Sequence, residues 1–169
     1  MHLILLLDNS LLIPAVNVVG AVAVFVLWGF PSVFFHELGH TVAAKLLGLK
    51  PTHLVVGGFD TIFSVRVFNI DVVFRLAPIG GVTLIDAPPT SKLKAFIFVA
   101  SGPVSNALII FVAASLWPHS SLKAILAAVI LCEVGQVIHS LIPRSTVYEG
   151  VEVPRDGKLL VQIFLEREK

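Results

Sequence analysis

Three stretches of this chain are apolar for long enough to cross a bilayer: about Ala15 to Leu49, Leu93 to Trp117 and Leu122 to Ile142. Roughly 20 residues of helix span ~30 Å of hydrocarbon. Backbone polar groups in lipid must be paired within the segment, so each stretch has to be helical. The 169 residues are 56% hydrophobic and only 14% charged, against about 25% charged for an ordinary soluble domain. The expectation is a mainly α, multi-pass integral membrane protein, read as one domain over residues 1–169 with no appended soluble module. A net charge of +1 with no Lys/Arg cluster excludes a nucleic-acid partner. The lone Cys132 excludes an internal disulfide and a CxxC metal site.

The first run exceeds one span, and Gly29 and Pro31 in its middle predict a kink or break just before residue 36. Gly102-Pro103 predicts a kink in the second run, and Pro118 and Pro143 close the second and third. The start, "MHLILLLDNSLLIP", lacks the basic n-region of a secretory signal. It is expected to be retained, as a short interfacial segment interrupted by Asp8, Asn9 and Pro14. The tail "DGKLLVQIFLEREK" is too short and charged to span and predicts a surface amphipathic helix.

Between the first two runs the pattern changes period. In "FSVRVFNIDVVFRLAP" the apolar Val65, Val67, Ile70, Val72, Phe74 and Leu76 alternate with Arg66, Asp71 and Arg75. Period two with β-branched and aromatic residues predicts a β-hairpin, over a region of about residues 53–81. Gly57-Gly58 and "PIGG" (Pro78 to Gly81) mark turns or close approaches. An open sheet edge cannot face lipid, so the hairpin belongs at the interface or beside a wet cavity. Six Lys/Arg lie between Lys45 and Lys94 and five between Arg144 and Lys169, while Lys123 stands alone in the turn after the second run. The positive-inside rule then places the hairpin and the C-terminus in the cytoplasm.

Against this apolar background stands "HELGH", His36 to His40. On a helix, positions i and i+4 share a face, so both imidazoles reach one metal ion, and Glu37 stands beside it as a general base for a water molecule. A satisfied polar cluster between helices is the bland alternative. It does not explain three costly ionisable side chains within five residues of a membrane helix. A catalytic zinc takes a third protein ligand and keeps one position open. Glu133, on a polar stripe with Gln136, His139 and Ser140, is one candidate; His139 and Asp156 in "PRDG" are the others. The residues themselves leave that choice open. Asn106, within "SGPVSN", is either packing glue beside Ser101, Gly102 and Ser105 or a donor to substrate or oxyanion.

Four features occur in order: "HELGH", "PIGG" after a hairpin, "SGPVSN" in the next span, and a Pro-bounded third span leading to "DG". From about Phe30 to Gly157 the chain resembles the site-2 proteases, zinc metalloproteases that cut within or beside transmembrane helices. The resemblance implies a three-helix catalytic core with one Zn2+ held by His36, His40 and Asp156, and Glu37 as the catalytic base. It implies that Asn106 serves substrate or oxyanion, and that the segment from His53 to Gly81 is a membrane-associated β-structure pairing with an unwound substrate strand. The partners it implies are a transmembrane protein substrate and the lipid bilayer. The chain departs from many relatives in carrying Ser140 where Asn is common, and in the dozen residues between Pro143 and Asp156. No PDZ-like domain is expected.

The function expected is thus intramembrane zinc proteolysis. A non-proteolytic membrane protein with a structural or regulatory metal site is the alternative, disfavoured by Glu37, which metal binding alone does not need. A metal transporter is a third reading, disfavoured because the polar groups converge at one depth rather than marking a path.

Overall fold

The computed structural model describes residues 9–148 and 150–165. Helix α1 (Asn9–Leu46) leads into strands β1 (Pro51–Val67) and β2 (Ile70–Ile85). Helices α2 (Lys92–Leu116) and α3 (Lys123–Leu141) follow, then strands β3 (Ser145–Tyr148) and β4 (Val151–Pro154) and helix α4 (Asp156–Leu165). Helices α1, α2 and α3 pack against one another pairwise. The stretches Lys92–His119 and Lys123–Leu141 are long and apolar enough to cross a membrane. Their outward side chains, among them Leu108, Phe111 and Leu131, are exposed and apolar, as lipid-facing residues are.

The break expected at Gly29 and Pro31 is absent: α1 runs without interruption through both, and also takes in residues 9–14, which were expected to precede it. Residues 1–8 lie outside the described residues. Gly29 answers to a neighbour instead, since a Cβ there would stand 3.0 Å from Pro78 Cγ of β2. The α2 helix likewise continues through Gly102 and Pro103. Packed neighbours re-satisfy the backbone groups that proline frees, so in a helix bundle proline does not by itself end a helix. Ser91 starts α2 by accepting from the Lys94 N–H at 3.3 Å.

The turn between β1 and β2 holds Phe68 and Asn69, both left-handed at φ 49° and 65°, as a two-residue hairpin loop requires. The hairpin is longer than expected and doubles back on itself. Val55 pairs with Val82 on one side and with Val73 on the other, and Val56 pairs with Gly81 and with Phe74. Farther out, Phe63 pairs with Phe74 and Val65 with Val72. Residues 72–74 are thus paired on both sides. Those residues therefore offer no free edge to a further strand, and the edge segments are 59–67 and 81–85. Gly57, at φ +97°, lies at the fold-back, where a Cβ would stand 2.7 Å from the Ala77 carbonyl oxygen.

Alternation along these strands gives the sheet two apolar faces. Leu54, Val56, Ile70, Val72 and Phe74 pack on Phe30, Val33, Phe34 and Leu38 of α1. Val55, Val73, Val82 and Leu84 pack on Tyr148 and Val153. The dozen residues between Pro143 and Asp156 therefore form a second hairpin covering the outer face of the first. The expected C-terminal helix is present as α4, whose Leu159, Leu160 and Ile163 pack on Ala44, Leu49, Phe98 and Val99. Residues 166–169 lie outside the described residues.

Candidate metal centre

His36 and His40 sit one turn apart on α1, both buried, with their Nε2 atoms 3.3 Å from each other. Each ring is anchored through its other nitrogen. His40 Nδ1 lies 2.7 Å from the Phe98 carbonyl oxygen, an acceptor only, so His40 carries its proton there. His36 Nδ1 lies 2.5 Å from Asn106 Oδ1. Both Nε2 lone pairs are left facing inward, toward Asp156. Its Oδ2 is 2.9 Å from His36 Nε2 and its Oδ1 is 3.3 Å from His40 Nε2.

Two imidazole nitrogens and a carboxylate converging at these distances need positive charge among them, supplied by a proton or by a metal ion. The donor set accordingly fits a metal ion, with all three ligand atoms within 4.8 Å of one another. Glycines make room for it. A Cβ on Gly102 would stand 2.7 Å from His36 Nε2 and run into His40 Nε2, so only glycine lets α2 pass here. Gly157 fills the same role for α4: a Cβ there would overlap the Leu141 carbonyl at the end of α3. The "DG" pair thus seats α4 against α3 while Asp156 reaches the imidazoles.

Glu37 is buried on the same helix turn. Its Oε2 accepts from the Thr83 hydroxyl at 2.8 Å, and Thr41 Oγ1 donates to its backbone oxygen at 2.9 Å. Gly81 presses against it from the sheet, where a Cβ would stand 2.6 Å from Glu37 Cγ. His36, Glu37, His40 and Asp156 line a cavity of about 530 Å³ together with Gly80–Ile85.

Of the three candidates for a third ligand, the fold brings Asp156 to the imidazoles. His139 lines the same cavity, where its Nε2 accepts from Arg155 Nη1 at 2.6 Å. Glu133 is fully buried but bonded elsewhere, to Trp28 Nε1 at 2.6 Å and to the Asn106 amide. Asn106 is equally buried and turns its NH2 to Glu133 and the Ser32 carbonyl. It lies behind His36 and is not among the side chains that line the cavity. Sequence reasoning missed Trp28, Thr83 and the role of Gly102. Trp28, Ser32, His36 and His40 recur every four residues, a helical stripe that could have flagged the first of them.

Residues 15–161 match the family model described as peptidase family M50. A comparison with curated proteins gives no match.

Proposed function

The chain belongs to peptidase family M50, the site-2 protease family of membrane-embedded metallopeptidases, and on that premise we propose that it is a zinc endopeptidase cutting transmembrane protein segments. The observation that carries the reading is the convergence of His36 Nε2, His40 Nε2 and an Asp156 carboxylate beside a buried glutamate that is not needed to hold the metal. Two imidazole nitrogens on a tetrahedral zinc, at about 2.0–2.1 Å each, stand roughly 3.3–3.4 Å apart. The observed separation is 3.3 Å.

His36, His40 and Asp156 would hold the ion, which when bound acts as a Lewis acid toward water and the scissile carbonyl. Glu37 takes the proton from the attacking water at a carboxylate oxygen and returns it to the leaving amine. Thr83, donating to Oε2, fixes that carboxylate in one rotamer. α1 would add a first span ahead of α2 and α3, and the loop charges support a cytoplasmic side for β1–β2 and the C-terminus.

A transmembrane substrate has to unwind before it is cut, exposing backbone groups that cost several kcal/mol each in lipid. An added strand would satisfy them by β-addition. The segment suited to receive it is Gly81–Ile85, an edge that pairs with β1 on one side only and lines the cavity holding Glu37. The substrate's chemistry is then that of a bilayer-spanning helix with residues that leave helices readily.

The test is metal content and cleavage measured together on purified chain. About one zinc per chain is expected in the wild type and in Glu37→Gln, and loss of it in His36→Ala and Asp156→Ala. Glu37→Gln should lower cleavage of a transmembrane reporter by about 10³-fold or more. Chelator should abolish wild-type cleavage, with zinc restoring it. Full activity in Glu37→Gln, or no zinc in the wild type, would overturn the reading.

A further inference from the structure

One buried polar chain is not used by the proposed chemistry. Trp28 Nε1–H donates to Glu133 Oε1 at 2.6 Å, and the Asn106 NH2 donates to Glu133 Oε2 and, at 3.3 Å, to the Ser32 carbonyl. Asn106 Oδ1 then meets His36 Nδ1 at 2.5 Å. The chain ties α1 (Trp28, Ser32, His36) to α2 (Asn106) and α3 (Glu133), and both Asn106 and Glu133 are 0% exposed.

Polar pairs between membrane helices serve as glue, worth about 0.6–2 kcal/mol each. Glue would be indifferent to the direction of each bond; this chain is not. Both Glu133 oxygens accept, and the Ser32 carbonyl can only accept. The Asn106 NH2 is committed to those two acceptors, which turns its oxygen toward His36. An oxygen in that place requires the proton on Nδ1, and that leaves the His36 Nε2 lone pair toward Asp156 and His40. Metal-ligating histidines depend on such an outer partner for tautomer and ring orientation.

We infer that Glu133, braced by Trp28, is a positioning residue that sets the tautomer of His36 through Asn106 and thereby the affinity for metal. The inference deepens the metallopeptidase reading and rests on it. It assigns Trp28 and Glu133 a function without contact to metal or substrate.

The first test removes the carboxylate that competes for the proton at Nε2. In metal-free full-length Asp156→Ala chain with 15N-labelled histidine, at alkaline pH where the imidazoles are neutral, His36 is expected in the Nδ1–H form. A His36 found mainly as Nε2–H overturns the inference. The second test measures zinc affinity by chelator competition in the wild type, Glu133→Gln, and Glu133→Gln combined with Trp28→Phe. A glutamine between two donors must oppose one of them, so zinc affinity should fall about 10–100-fold in the single variant. Removing the Trp28 N–H frees the amide to turn its oxygen to Asn106, and about tenfold of the loss should return. Affinity within about twofold of wild type in Glu133→Gln, or no recovery in the double variant, overturns the inference. Wild-type chain that binds no zinc would instead remove the metallopeptidase reading, so the two failures are distinguishable.

Discussion

Residues 53–56 and residues 59–67 belong to one strand and draw on the same apolar, β-forming residue types, yet they are held differently. The inner segment is paired on both sides and pressed against α1, with Leu54, Val55 and Val56 at 2%, 1% and 0% exposure. The outer segment is paired on one side, and Phe59, Ile62, Phe63 and Val65 are 48–70% exposed. Strand-forming residues therefore do two jobs here. In the inner half they fix the backbone that meets Glu37. In the outer half they present an exposed apolar surface of the kind that marks a membrane-interface or protein contact.

The contrast can be broken most severely at Gly81. A Cβ there would meet the Val55 carbonyl oxygen at 2.5 Å and Glu37 Cγ at 2.6 Å. Gly81→Val should cut reporter cleavage more than about 100-fold while zinc stays at about one per chain, because no ligand lies on β2; lost zinc would mean that the strand also shapes the ligand set. Thr83→Val keeps the shape and removes the hydroxyl from Glu37 Oε2, so single-turnover cleavage should fall by about 10–100-fold with little change in thermal stability. Val56→Ala, in the fully buried segment, should cost about 1–3 kcal/mol in detergent unfolding. Val65→Ala, in the exposed half, should stay within about 0.5 kcal/mol. A matching loss at both valines would erase the distinction between the halves. The smallest effect belongs to Glu152→Ala on the second hairpin: its exposed bond to Lys158, at 3.2 Å, should leave both activity and stability unchanged.

How far the sequence could be read depended on whether its signals were local. His36 and His40 are a local signal, since four-residue spacing on a helix fixes their common face. Asp156 is not: nothing in spacing links it to residue 36, and only the ordered motifs of a family pointed to it. The alternating strands around Phe68 and Asn69 were legible because charged residues interrupt the apolar ones with period two. The end of β2 beyond Gly81, "VTLI", was not, because it lacks the alternation of apolar and charged residues that marks a half-exposed strand. The glycines hid part of their role for a related reason. At Gly29 and Gly102 what matters is the neighbour that approaches, Pro78 in one case and the two imidazoles in the other, and the chain's own order does not reveal it. Glu133 was visible as a costly residue, but its partners Trp28 and Asn106 lie on two other helices.

The second hairpin closes at its base. Ser145 pairs with Pro154, and the Arg155 N–H donates to the Arg144 carbonyl oxygen at 2.9 Å. The chain thus leaves the end of α3 and returns to nearly the same place before reaching Asp156. Residues added at the tip, around Gly150, extend outward from a sealed stem and do not pull on the ligand that follows. The tip is therefore a natural port for an inserted epitope or fluorescent reporter, a handle that leaves the candidate metal ligands undisturbed.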